Sequence, residues 1–228
     1  MITQSNHNLV ARFKDSSRVV SAIVILIGCT VLVGWMLDIA VLKSVFPGLA
    51  TMKANTALGF ILSGLSLWLL HTESTAPRTR RIAQACAVIV SLSGLLTLGE
   101  YIFGWDLGID QLLFKDLRGA VGTLSPGRMA PNTALNFLLV GCALLLLDYE
   151  SHRGNRPAQF LALGAALVAL LALVGYVYGA TTSYGLASCT QMALHTAAAF
   201  FVLGLAILFA RPVFTAHHRG AHRRQPSH

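Results

Sequence analysis

Three segments of the sequence begin alike: Met52-Lys53-Ala54-Asn55-Thr56-Ala57, Met129-Ala130-Pro131-Asn132-Thr133-Ala134 and Met192-Ala193-Leu194-His195-Thr196-Ala197. Each segment opens an apolar run that carries a phenylalanine and then a glycine at fixed distances, namely Phe60 and Gly64, Phe137 and Gly141, and Phe200 and Gly204. The shared pattern is M-x-x-[NH]-T-A-x-x-F-x-x-x-G. Self-similarity at a regular period indicates a repeat architecture, so the sequence predicts a threefold internal duplication.

A second repeated element lies at the end of the apolar run that precedes each motif. Its members are Gly34-Trp35, Gly104-Trp105 and Gly175-Tyr176, which follow one another at intervals of 70 and 71 residues. The unit of duplication is therefore a hairpin of two apolar runs. Because two membrane crossings return the chain to its starting side, the three hairpins share one orientation. We expect parallel repeats around an axis along the membrane normal.

The composition places the chain in a lipid bilayer. It is 55% hydrophobic and 11% charged, whereas soluble domains are about one quarter charged. The apolar runs are 19–36, 56–70, 82–98, 133–147, 160–177 and 192–210. A bilayer requires a helix of about 20 apolar residues. These runs are close to that length and lack the alternating pattern of a β-barrel. They predict an all-α polytopic membrane protein with six transmembrane helices. The longest remaining stretch, about 30 residues, is too short for a soluble catalytic domain, so we expect no enzyme.

The distribution of charge predicts the orientation. The first 18 residues, the loops 72–81 and 148–157 and the tail from 211 hold 12 Lys and Arg against 4 Asp and Glu, while the other loops hold 5 of each. Since cytoplasmic loops are enriched in Lys and Arg, we expect both termini in the cytoplasm. The basic isoelectric point then reports membrane orientation, and we expect the lipid bilayer as partner and no nucleic acid.

These boundaries predict three parts of the chain. They are a cytoplasmic segment 1–18, a transmembrane domain 19–210 with repeats at about 19–71, 82–147 and 160–210, and a basic cytoplasmic tail 211–228.

The candidate ligand-binding residues lie at the predicted outer ends of the helices. Asn55, Asn132 and His195 occupy equivalent places in the three motifs, and His195 breaks the repeat. Unpaired N–H groups and the positive dipole end at a helix start favour anions or other acceptors. Glu100 lies at the outer end of the third predicted helix and is the nearest carboxylate in this layer by topology. The alternative interpretation is purely structural, since Asn before Thr is often only a helix cap.

Aromatic residues and an outer loop complete this predicted layer. Trp35, Trp105 and Tyr176 fit an outer aromatic belt, where such residues often act only as anchors. After Glu100, the apolar spacing from Ile109 to 117 predicts a short interfacial helix. The sequence shows no metal-ligand spacing and predicts neither metal nor cofactor. A less favoured alternative is a soft metal such as copper, held by Met192 and His195 with Met52, Met129 and Cys189.

The motifs resemble a known class of membrane region. MKANTALGFILSGLSLWLL, GRMAPNTALNFLLVGCALLLLD, GYVYGATTSYG and MALHTAAAFFVLGLAILFARP are similar to the N-terminal multi-spanning membrane sensor region of bacterial sensor histidine kinases and diguanylate cyclases. The resemblance covers roughly residues 19–212. It implies a homodimeric module in the bacterial inner membrane that perceives an outer-face or membrane-embedded cue and couples it to a cytoplasmic output domain.

The resemblance also implies a signalling partner. Proteins of that class continue into PAS, kinase or GGDEF domains, whereas 18 residues follow Ala210 here. We therefore expect either a sensory module that acts through a cytoplasmic histidine kinase or diguanylate cyclase, or a remnant of such a protein. The competing function is a small-solute carrier or channel built on the three hairpins.

Overall fold

The computed structural model describes residues 2–44, 49–71, 76–114, 125–151, 155–177 and 192–210, with side chains from residue 15 onward. These ranges contain α-helices, one short 3₁₀ turn at Ile109–Gln111 and no strand. The helices are α1 (Ile2–Met36), α2 (Ala40–Lys43), α3 (Ala54–Leu70), α4 (Pro77–Phe103), α5 (Pro131–Leu145), α6 (Pro157–Val177) and α7 (Leu194–Ala210). The all-α prediction is confirmed for this part of the chain.

The predicted apolar runs correspond to α1, α3, α4, α5, α6 and α7, with two marked differences in length. The first run was expected to begin at residue 19, but α1 begins at Ile2, so this helix also includes residues 2–18. The third run was expected to cover 82–98, but α4 extends from Pro77 to Phe103. Pro77 occupies the first turn, where its missing N–H costs nothing. At the other end Gly104 adopts a left-handed conformation with φ of 67°, the usual geometry for ending a helix.

The helices form an inner and an outer layer. The inner helices α3, α5 and α7 contact one another at the centre. The outer helices alternate with them, so that α1 packs between α7 and α3, α4 between α3 and α5, and α6 between α5 and α7. The six helices therefore close into a ring in which the motif-bearing helices are shielded by the other three.

The outer helices have the length and composition of membrane-crossing segments. Within α1 the segment Asp15–Met36 qualifies, as do α4 and α6, whereas the inner helices have 15 to 17 residues. The outer helices also carry most of the large exposed apolar side chains, including Leu26, Leu92 and Leu171. A surface this apolar is typical of contact with lipid, which indicates membrane association.

Three phenylalanines form the centre of the core. Phe60, Phe137 and Phe200 are fully buried, and their ring centroids lie 4.6 to 5.3 Å apart in all three pairs. The rings are tilted or edge-on to each other, the arrangement that aromatic quadrupoles prefer. The repeated Phe of each motif therefore meets its two counterparts on one axis, which we call the Phe triad.

The repeated glycines allow the two helices of each hairpin to approach closely. A Cβ atom on Gly64 would lie 2.9 Å from the carbonyl oxygen of Ser21 in α1, and one on Gly141 would lie 2.8 Å from Cα of Ser91 in α4. On Gly204 it would lie 3.0 Å from the carbonyl oxygen of Ala162 in α6. Small residues support this kind of close packing between membrane helices.

Candidate functional site

We call the end of the bundle at which α3, α5 and α7 begin the upper end. There, an aromatic side chain near the end of each outer helix donates a hydrogen bond to the carbonyl oxygen of the methionine that opens the next motif. The bonds are Trp35 Nε1 to Met52 O (2.9 Å), Tyr101 Oη to Met129 O (3.1 Å) and Tyr176 Oη to Met192 O (2.6 Å). The same tie therefore joins the two helices of all three hairpins.

This geometry changes one assignment within the predicted aromatic layer. Trp105 was aligned with Trp35 and Tyr176, but the residue in the equivalent bonding position is Tyr101. Trp105 lies beyond the end of α4, is 56% exposed and stacks on Phe103 with centroids 4.7 Å apart. The Gly-Trp match at 104–105 is therefore a local similarity outside the helix.

A small pocket lies on the axis of the upper end, and we call it the axial pocket. Its lining repeats with the motif, since Met52, Lys53 and Thr56 correspond to Met129, Ala130 and Thr133 and to Met192, Ala193 and Thr196, with Ala50, Thr51 and Arg128 beside them. Its volume is about 10 Å³, which is room for about one water molecule. The Phe triad lies one helical turn deeper, four residues after each threonine.

The predicted polar residues lie beside this pocket and behave differently from one another. Asn55 Oδ1 accepts a hydrogen bond from Thr56 N (2.8 Å), and Asn132 Oδ1 accepts one from Thr133 N (3.0 Å). Both asparagines therefore satisfy an unpaired N–H of their helix start. His195 does not do so, because neither of its ring nitrogens has a hydrogen-bond partner in the described part of the chain.

Glu100 belongs to a group of charged residues apart from these polar residues. We call it the acidic cluster, and its members are Glu100, Asp106, Asp110 and Arg128. The guanidinium of Arg128 lies 2.6 Å from Asp110 Oδ2 and 3.4 Å from Glu100 Oε2. Glu100 Oε1 also accepts a hydrogen bond from Leu107 N (2.8 Å). The structure thus pairs Glu100 with Arg128 of the same hairpin, and no described contact joins it to His195.

Arg128 connects the two features. It lines the axial pocket, its guanidinium lies 5.5 Å from the ring centre of Tyr101, and it binds the carboxylates of the acidic cluster. A cleft of about 360 Å³ opens beside the cluster and is lined by Trp105, Asp106 and Arg128 among others. Any change in the cluster therefore acts on a residue of the pocket wall.

Glu100, Asp106 and Asp110 are close enough to one another to share a metal ion. Arg128 supplies a positive charge at this place, although Glu100 Oε2 and Asp110 Oδ1 have no hydrogen-bond partner among the described residues. The three methionines of the copper alternative do meet around the axial pocket, whereas Cys189 lies outside the described residues. The short interfacial helix was predicted from Ile109 to 117. The structure describes this loop up to residue 114 and has a 3₁₀ turn at Ile109–Gln111 in its place.

Burial raises the pKa of Asp110 to about 6, with Arg128 opposing the shift and Glu100 adding to it. An acid whose pKa is raised in the folded state stabilises the fold when protonated and loses that contribution as the pH rises. We expect the free energy of unfolding to fall by about 2 kcal/mol between about pH 4 and pH 7.

Thermal unfolding of the purified chain in detergent measures this dependence. In the Asp110→Asn variant the decrease should largely disappear, whereas Asp106→Asn, at an exposed carboxylate, should leave it in place. An unchanged pH dependence in Asp110→Asn contradicts the assignment.

Comparisons of the chain with known protein families, with curated protein sequences and with solved structures give no match. The resemblance to sensor regions therefore stays a prediction from the quoted motifs. The case for a site rests on the geometry of the upper end.

Proposed function

We propose that the chain is a membrane sensory or regulatory module that crosses the inner membrane six times, as three parallel hairpins with both termini in the cytoplasm. The axial pocket carries this proposal, because all three hairpins meet there around a polar cavity. A ligand bound there contacts the starts of α3, α5 and α7 together. Differential binding to two packings of these helices shifts their populations, which is what a sensor requires.

The layered arrangement supports six crossings. Helices of 15 to 17 residues are about 22 to 26 Å long, shorter than a bilayer core of about 30 Å. Each of them is flanked by two longer apolar helices. Short central helices are compatible with a spanning bundle for this reason.

The Phe triad favours a sensor over a channel. The three fully buried rings are in mutual contact one turn below the axial pocket, so they fill the axis along which a solute would pass. A pocket with three packed aromatic rings below it fits perception better than transport.

The proposal is tested by joining the chain after residue 210 to a cytoplasmic reporter kinase and measuring phosphorylation in cells. We expect Thr196→Val and His195→Asn to change reporter output at least about threefold, a shift of less than 1 kcal/mol between two packings. The control is Thr30→Val, because Thr30 is exposed on α1 and bonds only within its own helix.

Unchanged output in both site variants contradicts the sensory proposal. Solute flux through proteoliposomes of the purified chain supports the carrier alternative instead.

A further inference from the structure

We propose that the axial pocket binds one small monovalent anion of the halide class, such as chloride. This inference names the ligand class of the site on which the proposed function rests. It is carried by the size of the pocket, by the charges around it and by a buried hydroxyl group that lines it.

The size of the pocket limits the ligand. A volume of about 10 Å³ admits a single water-sized sphere, so sugars, amino acids and nucleotides are excluded. The candidates that remain are a water molecule, a monatomic cation and a monatomic anion.

The electrostatics at the pocket favour the anion. Three helices begin at its wall, and each helix start carries a partial positive charge of about one half. Lys53 and Ala130 directly precede α3 and α5. Lys53 itself lines the pocket and is 3% exposed, and no carboxylate is found among the described lining residues. A soft monovalent cation on the three methionines would face the same positive potential.

A hydroxyl group in the pocket points to an occupant. Thr56, Thr133 and Thr196 are all at most 3% exposed and line the cavity. The Thr196 hydroxyl oxygen has no hydrogen-bond partner among the residues that the structure describes. A buried polar group without a partner is destabilising, and a hydroxyl group is a suitable hydrogen-bond donor to a halide.

The unpaired polar groups beside the pocket lie in the third copy of the motif, at the start of α7. Asn55 and Asn132 each cap their own helix start, while His195 leaves both ring nitrogens unbonded within the described ranges. The start of α7 therefore keeps more of its positive potential than the starts of α3 and α5. The anion is expected to lie closer to Thr196 than to Thr56 or Thr133.

The test is anion-dependent stability of the purified full chain in detergent. At equal ionic strength, chloride and bromide should raise the unfolding temperature in a saturable way, and gluconate should not. Thr196→Val removes a donor to a charged group and should weaken the apparent halide affinity about tenfold or more. Thr196→Ser keeps the hydroxyl group and should retain binding. The matched control is Thr97→Val, since Thr97 is equally buried and unpartnered in α4 but does not line the pocket.

Bromide anomalous scattering from crystals then locates the ion, with one peak expected among the three threonines. The inference is overturned if stabilisation does not saturate, if gluconate acts equally, if the pocket holds only water, or if Ag⁺ rather than halide gives the saturable effect. If halide binds but the reporter kinase does not respond to the site variants, the sensory function is contradicted and the proposed binding site is retained. A reporter that responds to Thr196→Val without any halide binding overturns the ligand class alone.

Discussion

Replacing Phe137 by alanine is expected to lower the free energy of unfolding by about 3 to 5 kcal/mol. Phe137 is fully buried and contacts both Phe60 and Phe200, so its removal leaves a cavity where the three inner helices meet. The side chains of Phe60 and Phe200 are held in place by the six packed helices, so they collapse only partly into the space. Reversible unfolding in mixed detergents measures the loss.

The control for this substitution is Phe160→Ala. Phe160 begins the second turn of α6 and is 68% exposed, so its loss should change the stability by no more than about 0.5 kcal/mol. Equal losses in the two variants contradict a core centred on the Phe triad. Similar losses for Phe60→Ala, Phe137→Ala and Phe200→Ala are expected, because the three rings are fully buried and in mutual contact.

Gly94→Val is expected to destabilise the bundle by about 3 kcal/mol or more. A Cβ atom on Gly94 would contact the carbonyl oxygen of Ala134 and lie 2.7 Å from Leu138 N in α5. Both are backbone atoms within a helix, so they cannot rotate away as the end of a side chain does. The two helices must separate, and α5 carries the Phe triad and part of the axial pocket.

Gly99→Val in the same helix is the matched control. A Cβ atom at Gly99 would meet nothing within 4 Å, so this variant should retain the stability of the parent chain within about 0.5 kcal/mol. Unfolding temperature and size-exclusion profile in detergent distinguish the two variants. A stable Gly94→Val protein would show that α4 and α5 pack differently.

Much of the helical framework could be predicted from the sequence. The ends of the apolar runs matched the helices within a few residues, except that α1 begins 17 residues before its run and that Pro77 and Gly104 extend α4 beyond the purely apolar stretch. Hydrophobicity marks the membrane segment, whereas a helix continues through polar turns until a residue such as Gly104 ends it. The repeated Phe was visible in the motif, but its position on the axis was not.

The candidate site was predicted less completely, for physical reasons. Glu100 was found, but its partner Arg128 was missed, because that ion pair joins the end of a helix to an irregular segment with no periodic signal. The threonines of the axial pocket stood in the quoted motif beside Asn and His. A helix start presents the two neighbouring positions to different surroundings, and only packing decides which one faces the axis.

Because of the aromatic hydrogen bonds at the upper end, the packing of the bundle does not depend on the length of the connections between its helices. Bonded residues are 17 positions apart in the first hairpin, 28 in the second and 16 in the third, yet the tie is the same in all three. The anchor points are fixed by side chains within or next to helices, so the intervening chain can lengthen at a small entropic cost. The connections at this face are thus free to diverge and acquire new recognition properties while the bundle beneath them is preserved.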